Sequence, residues 1–199
     1  MFETLKPYIL AFIPIFVAVD SIGTIPLFFS LVQGTNKKER RKIILDSVTT
    51  ATVVAILFML IGKLVLAVLG ITISDFQIAG GMLLFVIAVR LLLPGSQKGM
   101  LLDAHNKDIG VFPLGMPLIT GPAVLATTLM MLDSFGFFPT LVSLLANMLI
   151  VWVTLAKSDA ILKIMGESGT RAFSKIMYIL LAAIAVMMVR RGLMGVFVK

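Results

Sequence analysis

The chain contains no cysteine, one histidine and little charge, and each of these shortages excludes a class of function. Without cysteine there is no disulfide, no thiolate nucleophile and no zinc–sulfur site. Charged residues make up 14% of the 199 residues and hydrophobic residues 59%, whereas a soluble domain averages about 25% charged. The mean hydropathy is +1.09. This composition predicts an integral membrane protein without a separate soluble domain.

Motifs of several catalytic classes are also missing. We find no His-Glu-x-x-His zinc motif, no serine–histidine pair and no glycine-rich lysine loop for nucleotide phosphates. We therefore expect no enzymatic activity, no metal and no cofactor, and any transport must draw its energy from an ion gradient. The net charge of +7 is expected to set membrane topology and to contact anionic lipid, not to bind nucleic acid.

Hydropathy predicts six spans in a single transmembrane domain, 1–199, because each span needs about 20 apolar residues. The predicted spans are 7–32, 43–69, 74–93, 109–132, 138–156 and 173–195. Twelve of the 17 basic residues lie in the connections that follow the first, third and fifth spans or in the span ends beside them. Basic loops stay on the cytoplasmic side. The sequence therefore predicts a multi-pass protein of a prokaryotic cytoplasmic (inner) membrane, with both termini outside.

An internal repeat relates the two halves of the chain. The stretch "FQIAGGMLLFVIAV" (76–89) aligns with "FSKIMYILLAAIAV" (173–186) at its phenylalanine, at two leucines and at the final Ile-Ala-Val. Each half, about 7–93 and about 109–195, holds three predicted spans, and an odd number reverses the direction of the second half. The prediction is an all-α membrane fold of two inverted three-helix repeats, an arrangement common in transporters.

Two corresponding spans, the first and the fourth, are interrupted by proline and glycine. The first contains Pro14, Gly23 and Pro26, and the fourth contains the run "FPLGMPLITGPAVLATT" (112–128). A proline inside a helix removes a backbone donor and costs about 3 kcal/mol. The freed carbonyls cannot face lipid and must find protein, water or a ligand. Breaks at matching places in both halves predict a binding site near the middle of the membrane.

The residues at these breaks predict two helix starts that face the site. Asp20-Ser21 resembles a helix start with a capping side chain, and Thr120-Gly121-Pro122 places Pro122 at a first turn. Two such N-termini favour an anion, such as a substrate carboxylate. Asp20 suits an ammonium group, a sodium ion or a proton, so a small zwitterion would satisfy both. The alternative role for Asp20 is a plain N-cap or a helix-to-helix hydrogen bond.

Three further polar residues lie in other spans, and each has a structural alternative. Asp46 can pair with Lys42 one turn away, and Thr50 can bond to its own helix backbone. Asn147 can form an interhelical hydrogen bond worth about 0.6 kcal/mol. The candidate substrate- or ion-binding residues are Asp20, Ser21, Gly23, Thr24, Pro26, Asp46, Thr50, Thr120, Gly121, Pro122 and Asn147.

The chain resembles the MarC-related family of integral membrane proteins, within the wider group of lysine-exporter-like transporters. The resemblance covers nearly the whole chain and is carried by "DSIGTIPLF" (20–28), "IAGGMLLFVIAV" (78–89), "PLGMPLITGPAVLAT" (113–127) and "LLAAIAVMMVRRGL" (180–193). The family usually has Asn-Pro or Asp-Pro where this chain has Asp20-Ser21, and often glycine where it has Ala123. The resemblance implies six spans and, from an archaeal relative, glycine and alanine as substrates.

The motifs and the resemblance together predict an exporter or facilitator of small neutral amino acids, coupled to protons or sodium ions. The alternative is a passive channel or an accessory membrane protein without transport activity of its own. Asp20 and Asp46 are far apart in sequence, so an aspartyl dyad has no support. Beyond the solute and the ion, the expected partner is the lipid bilayer, and the sequence leaves a homo-oligomer open.

Overall fold

The structure, a computed structural model, describes residues 2–21, 23–32, 35–93 and 109–197. Within those ranges it is helical and contains no β-strand. An irregular helical stretch, Gly110–Ile119, is called the 110–119 segment below. The seven α-helices are α1 (Phe2–Val19), α2 (Thr24–Leu31), α3 (Lys37–Leu69), α4 (Ile73–Leu92), α5 (Pro122–Phe135), α6 (Phe137–Ala156) and α7 (Ser158–Phe197).

Local capping residues set the boundaries of α3 and α4. The side chain of Asn36 accepts from the Glu39 amide at 2.9 Å, and the Glu39 carboxylate accepts from the Asn36 amide at 3.1 Å. Thr72 and Asp75 form the same reciprocal capping box at the start of α4. Between the two helices Gly70 has a φ of 67°, which glycine adopts without steric cost. The turn between α3 and α4 is therefore encoded locally.

Four helices are long and apolar enough to cross a membrane, at 37–69, 73–90, 137–156 and 178–197. The 110–119 segment and α5 meet at an angle of 54° and make a fifth span if the bent pair is counted as one. Leu5–Val19 is apolar but shorter. The chain is therefore a multi-pass membrane protein with four or five candidate spans among the residues described, and the six-span inverted repeat stays a prediction.

The outer surface of the helix bundle is strongly apolar. Val17 is 71% exposed, Leu64 66%, Val68 76% and Phe138 70%. Soluble proteins rarely expose large contiguous apolar patches, whereas lipid tails solvate such side chains well. The bundle surface is therefore that of a protein immersed in hydrocarbon.

Small residues bring α4 and α7 into close contact. A Cβ atom added at Gly81 would lie 2.8 Å from the Ala185 carbonyl oxygen, and one at Gly192 would lie 2.7 Å from the Ser74 carbonyl oxygen. Close backbone approach at small residues is typical of helix pairs in membranes. This contact fixes α7 against α4, and α7 supplies one wall of the site described below.

The stretch between the fifth and sixth predicted spans is helical, and the candidate span within this helix is 178–197. Residues 158–172, expected to lie outside the spans, belong to the single continuous helix α7. The run "SDAILKIMGESGTRAFSK" (158–175) has no proline and several strong helix formers. Its charges lower the hydropathy without ending the helix, so the helix begins before the candidate span does.

Candidate functional site

The first break in the chain is centred on Asp20. Its φ is 44°, a left-handed conformation that aspartate tolerates better than most residues. The Asp20 amide donates to the Phe16 carbonyl at 3.2 Å and the Thr24 amide donates to the Asp20 carbonyl at 3.1 Å. The Asp20 carboxylate accepts from the Gly23 amide at 3.1 Å. The break between α1 and α2 lies where it was predicted, although α2 begins at Thr24 and not at Asp20-Ser21.

The second break lies between the 110–119 segment and α5. Inside the segment Phe112 and Met116 have extended backbone, because each precedes a proline and the proline ring excludes the helical conformation. Pro122 occupies the first turn of α5, as predicted. Thr120 does not cap α5; its buried hydroxyl donates to the Ala51 carbonyl of α3 at 3.0 Å.

A cavity of about 330 Å³, called the small cavity, lies where the two breaks meet α7. The starts of both half-helices border it: Thr24 begins α2, and Gly121 precedes α5. The first-turn amides of Ala123 and Val124 have no helical carbonyl partner because no turn precedes them, and α5 has no side-chain cap. Both residues line this cavity. The rest of its wall is apolar and includes Leu84, Leu118, Leu181 and Ile184.

A second cavity of about 720 Å³, called the large cavity, adjoins the first and is more polar. Ala18, Asp20, Ala123, Ile184, Met187 and Met188 line both cavities. The large cavity adds Ser21 and Thr127 from the two broken regions, Gln77 from α4 and Arg191 from α7. Asp20 thus lines both the more apolar cavity and the more polar one.

Ser21 has an unusual environment for a buried hydroxyl. It is 3% exposed, and its Oγ has no hydrogen-bond partner among the residues that the structure describes. Its carbonyl, by contrast, accepts from the Thr24 hydroxyl at 2.8 Å. Ser21 lines the large cavity, and its unpaired buried hydroxyl carries a desolvation cost that a hydrogen bond to a ligand would offset.

The remaining candidates lie elsewhere. Asp46 and Thr50 face the 110–119 segment, where Cβ atoms added at Gly110 and Gly115 would approach them at 2.6 and 3.0 Å. Neither lines the small or the large cavity, and the structure records no ion pair between Asp46 and Lys42, both of which it describes. The side chain of Pro26 lies outside the described part of the chain.

Asn147 joins α6 to α1. Its Nδ2 donates to the Phe12 carbonyl at 3.3 Å and to the Ser143 carbonyl at 2.8 Å. This is the interhelical hydrogen bond given above as its structural alternative. Its Oδ1 is buried with no partner among the described residues, and the side chain lines neither cavity.

Sequence reasoning missed Gln77 and Arg191. Arg191 lies in the basic "VRRGL" run (189–193), which the topology prediction counts as part of the tail, and Gln77 lies one turn after the cap of α4. A polar residue inside a predicted span was the available signal for Gln77. For Arg191 the sequence feature that could have indicated a place in the site was the next residue, Gly192, because this glycine brings that part of α7 against α4.

Comparisons with known proteins find relatives among integral membrane proteins. The model of the MarC family of integral membrane proteins matches residues 5–197. The chain is 34% identical to a UPF0056 membrane protein of Methanocaldococcus jannaschii, over 98% of this chain and 90% of that protein. It is 30% identical to the UPF0056 inner membrane protein YhgN of Escherichia coli K12, over 88% and 90%. No solved structure matches the chain.

Proposed function

The chain belongs to the MarC family of integral membrane proteins, and from this premise we propose that it is an ion-coupled secondary transporter of small neutral amino acids such as glycine and alanine. The observation that carries the proposal is the meeting of both helix breaks at one small cavity beside Asp20. The uncapped start of α5 favours an anion such as a carboxylate, and Asp20 favours an ammonium group or a cation. These are the two charges of a zwitterionic amino acid.

An inverted repeat is part of the proposal, and the packing of the helices supports it. The helix α1 of the first half packs on α6 of the second half. There the Ser143 hydroxyl donates to the Tyr8 carbonyl at 2.9 Å, and Asn147 donates to the Phe12 carbonyl. The 110–119 segment of the second half packs through Gly110 and Gly115 on α3 of the first half, the helix that corresponds to α6 in the predicted repeat. Such an exchange of partners is expected when two halves share one plan.

The proposal includes no enzymatic step and no cofactor. It places the protein in the inner membrane of a prokaryote, with protons or sodium ions as the coupling species and both termini outside. The second candidate is a passive channel or an accessory protein. The adjoining cavities on two sides of Asp20 are what a channel would also need, so transport kinetics must separate the two.

The direct test is flux of labelled glycine and alanine in proteoliposomes, with proton or sodium gradients imposed separately. We expect saturable flux that follows one of the gradients and that unlabelled alanine on the opposite side accelerates by exchange. Flux that rises linearly with concentration and ignores both gradients would favour the channel. No flux across a panel of small neutral amino acids would overturn the transport proposal.

Replacing Ser21 with alanine is expected to separate stability from function. Removing an unpaired buried hydroxyl removes a desolvation cost, so the midpoint of thermal unfolding stays equal or rises. If the Oγ binds substrate or ion, KM for alanine rises by about fivefold, because a hydrogen bond contributes about 1 kcal/mol. Ser143→Ala is the matched control: it loses a hydrogen bond to α1, so stability falls while KM stays unchanged. An unchanged KM in Ser21→Ala would remove this residue from the site.

A further inference from the structure

Building on the proposed function, we propose that Arg191 and Gln77, in place of the helix starts, form the carboxylate-binding end of the site in the large cavity, so that an α-amino acid lies between Arg191 and Asp20. Both residues line this cavity together with Asp20 and the unpaired Ser21. Among the cavity's lining residues Asp20 and Arg191 are the two charged ones, and they carry opposite signs. The occupant that neutralises both is a small zwitterion.

The backbone contact between α4 and α7 holds the two residues in place. A Cβ atom at Gly192 would lie 2.6 Å from Ile78 Cγ1 and 3.2 Å from the Ile78 amide nitrogen. Arg191 immediately precedes Gly192, and Gln77 immediately precedes Ile78. Their backbones are therefore neighbours at a contact that leaves no room for a side chain, and their side chains reach the same cavity.

The chemistry of the two side chains suits a carboxylate. A guanidinium group offers a planar fork of donors that matches the two oxygens of a carboxylate, and the amide of Gln77 adds a further N–H donor. The structure records no ion pair between Arg191 and another residue that it describes. At the other end the Asp20 carboxylate donates no hydrogen bond when ionised and can accept from an ammonium group.

The small cavity then receives the substrate side chain. Asp20 and five other residues line both cavities, so a ligand whose ammonium group lies at Asp20 can extend into either. The wall contributed by Leu84, Leu118 and Leu181 is apolar, and its volume of about 330 Å³ is at the lower end of ligand sites. The class of ligand is therefore an α-amino acid with an aliphatic side chain, in preference to a polar or charged one.

The first test measures the anion preference of the large cavity without any assumption about transport. The chain has no cysteine, so Thr127→Cys, which lines this cavity, provides a single reactive thiol. Its rate of reaction is measured with an anionic sulfonate and with a cationic ammonium methanethiosulfonate reagent. The anionic-to-cationic ratio is expected to fall at least fivefold in Arg191→Gln and to stay within twofold in Arg190→Gln, because Arg190 lines neither cavity.

The second test is the KM for alanine in proteoliposomes. Arg191→Gln is expected to raise KM at least tenfold with a smaller change in the maximal rate, Arg191→Lys to recover part of the loss, and Arg190→Gln to match the native chain. Alaninamide, which lacks the carboxylate, is expected to compete weakly with alanine in the native protein. In Arg191→Gln, alanine and alaninamide should compete about equally.

The outcomes of the two tests distinguish this proposal from the proposed function. If the native protein transports alanine but Arg191→Gln changes neither KM nor the reagent ratio, the carboxylate site is wrong and transport stands. If the reagent ratio falls while no amino acid is transported, the anion site stands and the function is wrong. A thiol at position 127 that reacts with neither reagent, or equal effects of Arg190→Gln and Arg191→Gln, would also overturn the proposal. Equal effects would indicate contact with lipid headgroups.

Discussion

Replacing Asp20 with asparagine is expected to lower gradient-driven flux of alanine at least tenfold while leaving the fold intact. A hydrogen bond to a charged group contributes about 1.5–3 kcal/mol, which corresponds to a change of about 10- to 150-fold. Asp20 is the charged residue that lines both cavities, so no other lining side chain can replace its charge in the small one.

The fold is expected to survive because asparagine preserves what the backbone needs at this position. The φ of 44° is tolerated by asparagine as it is by aspartate. The amide oxygen of asparagine can still accept from the Gly23 amide, as the carboxylate does at 3.1 Å. Asp20→Ala would lose both properties and would confound function with folding.

The Asp20→Asn variant also indicates which species the carboxylate binds. If Asp20 binds the coupling ion, exchange of labelled for unlabelled alanine continues while the response to the imposed gradient disappears. If it binds the substrate ammonium group, exchange and net flux fall together. Asp133→Asn is the matched control, because that carboxylate is 58% exposed, pairs with Lys63 and lines neither cavity. Native flux in Asp20→Asn, or equal losses in both variants, would contradict the role of Asp20.

Gly81→Ala is expected to destabilise the protein by about 1–3 kcal/mol, as overpacking typically does. The added Cβ would lie 2.8 Å from the Ala185 carbonyl oxygen and 3.0 Å from the Val189 amide nitrogen. Both are backbone atoms of α7, so the helix itself must move away from α4. The measurement is the midpoint of thermal unfolding in detergent, with alanine flux measured in parallel.

Gly195→Ala is the matched control on the same pair of helices. Its added Cβ would meet the Ser74 side chain, a hydroxyl that can rotate away. Replacing glycine with alanine inside a helix is favourable by up to about 1 kcal/mol in both variants, so the difference between them isolates the packing effect. An equal gain in stability in both would mean that α4 and α7 are not in close contact at Gly81.

The Gly81→Ala variant also links packing to the site. Ile184 and Met188 line both cavities, and each immediately precedes one of the two residues that the added Cβ would meet, Ala185 and Val189. A displacement of α7 therefore changes the walls of the site without altering a polar residue in it. We expect flux to fall in this variant even at temperatures where the protein remains folded.

Local chemistry along the chain was enough to determine the membrane class, the two breaks and the role of Pro122. The composition determines that lipid surrounds the helices, because a helix that exposes apolar surface on every side is stable in lipid and not in water. Proline acts within one turn of itself, so the break before α5 is readable from its neighbours. Asp20 was readable because a carboxylate in an apolar run has few structural uses.

Only the tertiary structure decided which polar residues meet. Thr120 and Asn147 hydrogen-bond to the backbone of another helix, whereas Arg191, which reads as a topology signal, lines the large cavity beside Asp20. The direction that a side chain takes depends on which helix lies against it, and that contact joins residues far apart in the chain. In a span that is apolar on all sides no periodic pattern marks the inner face, so the partners of each helix become known only once the helices are packed.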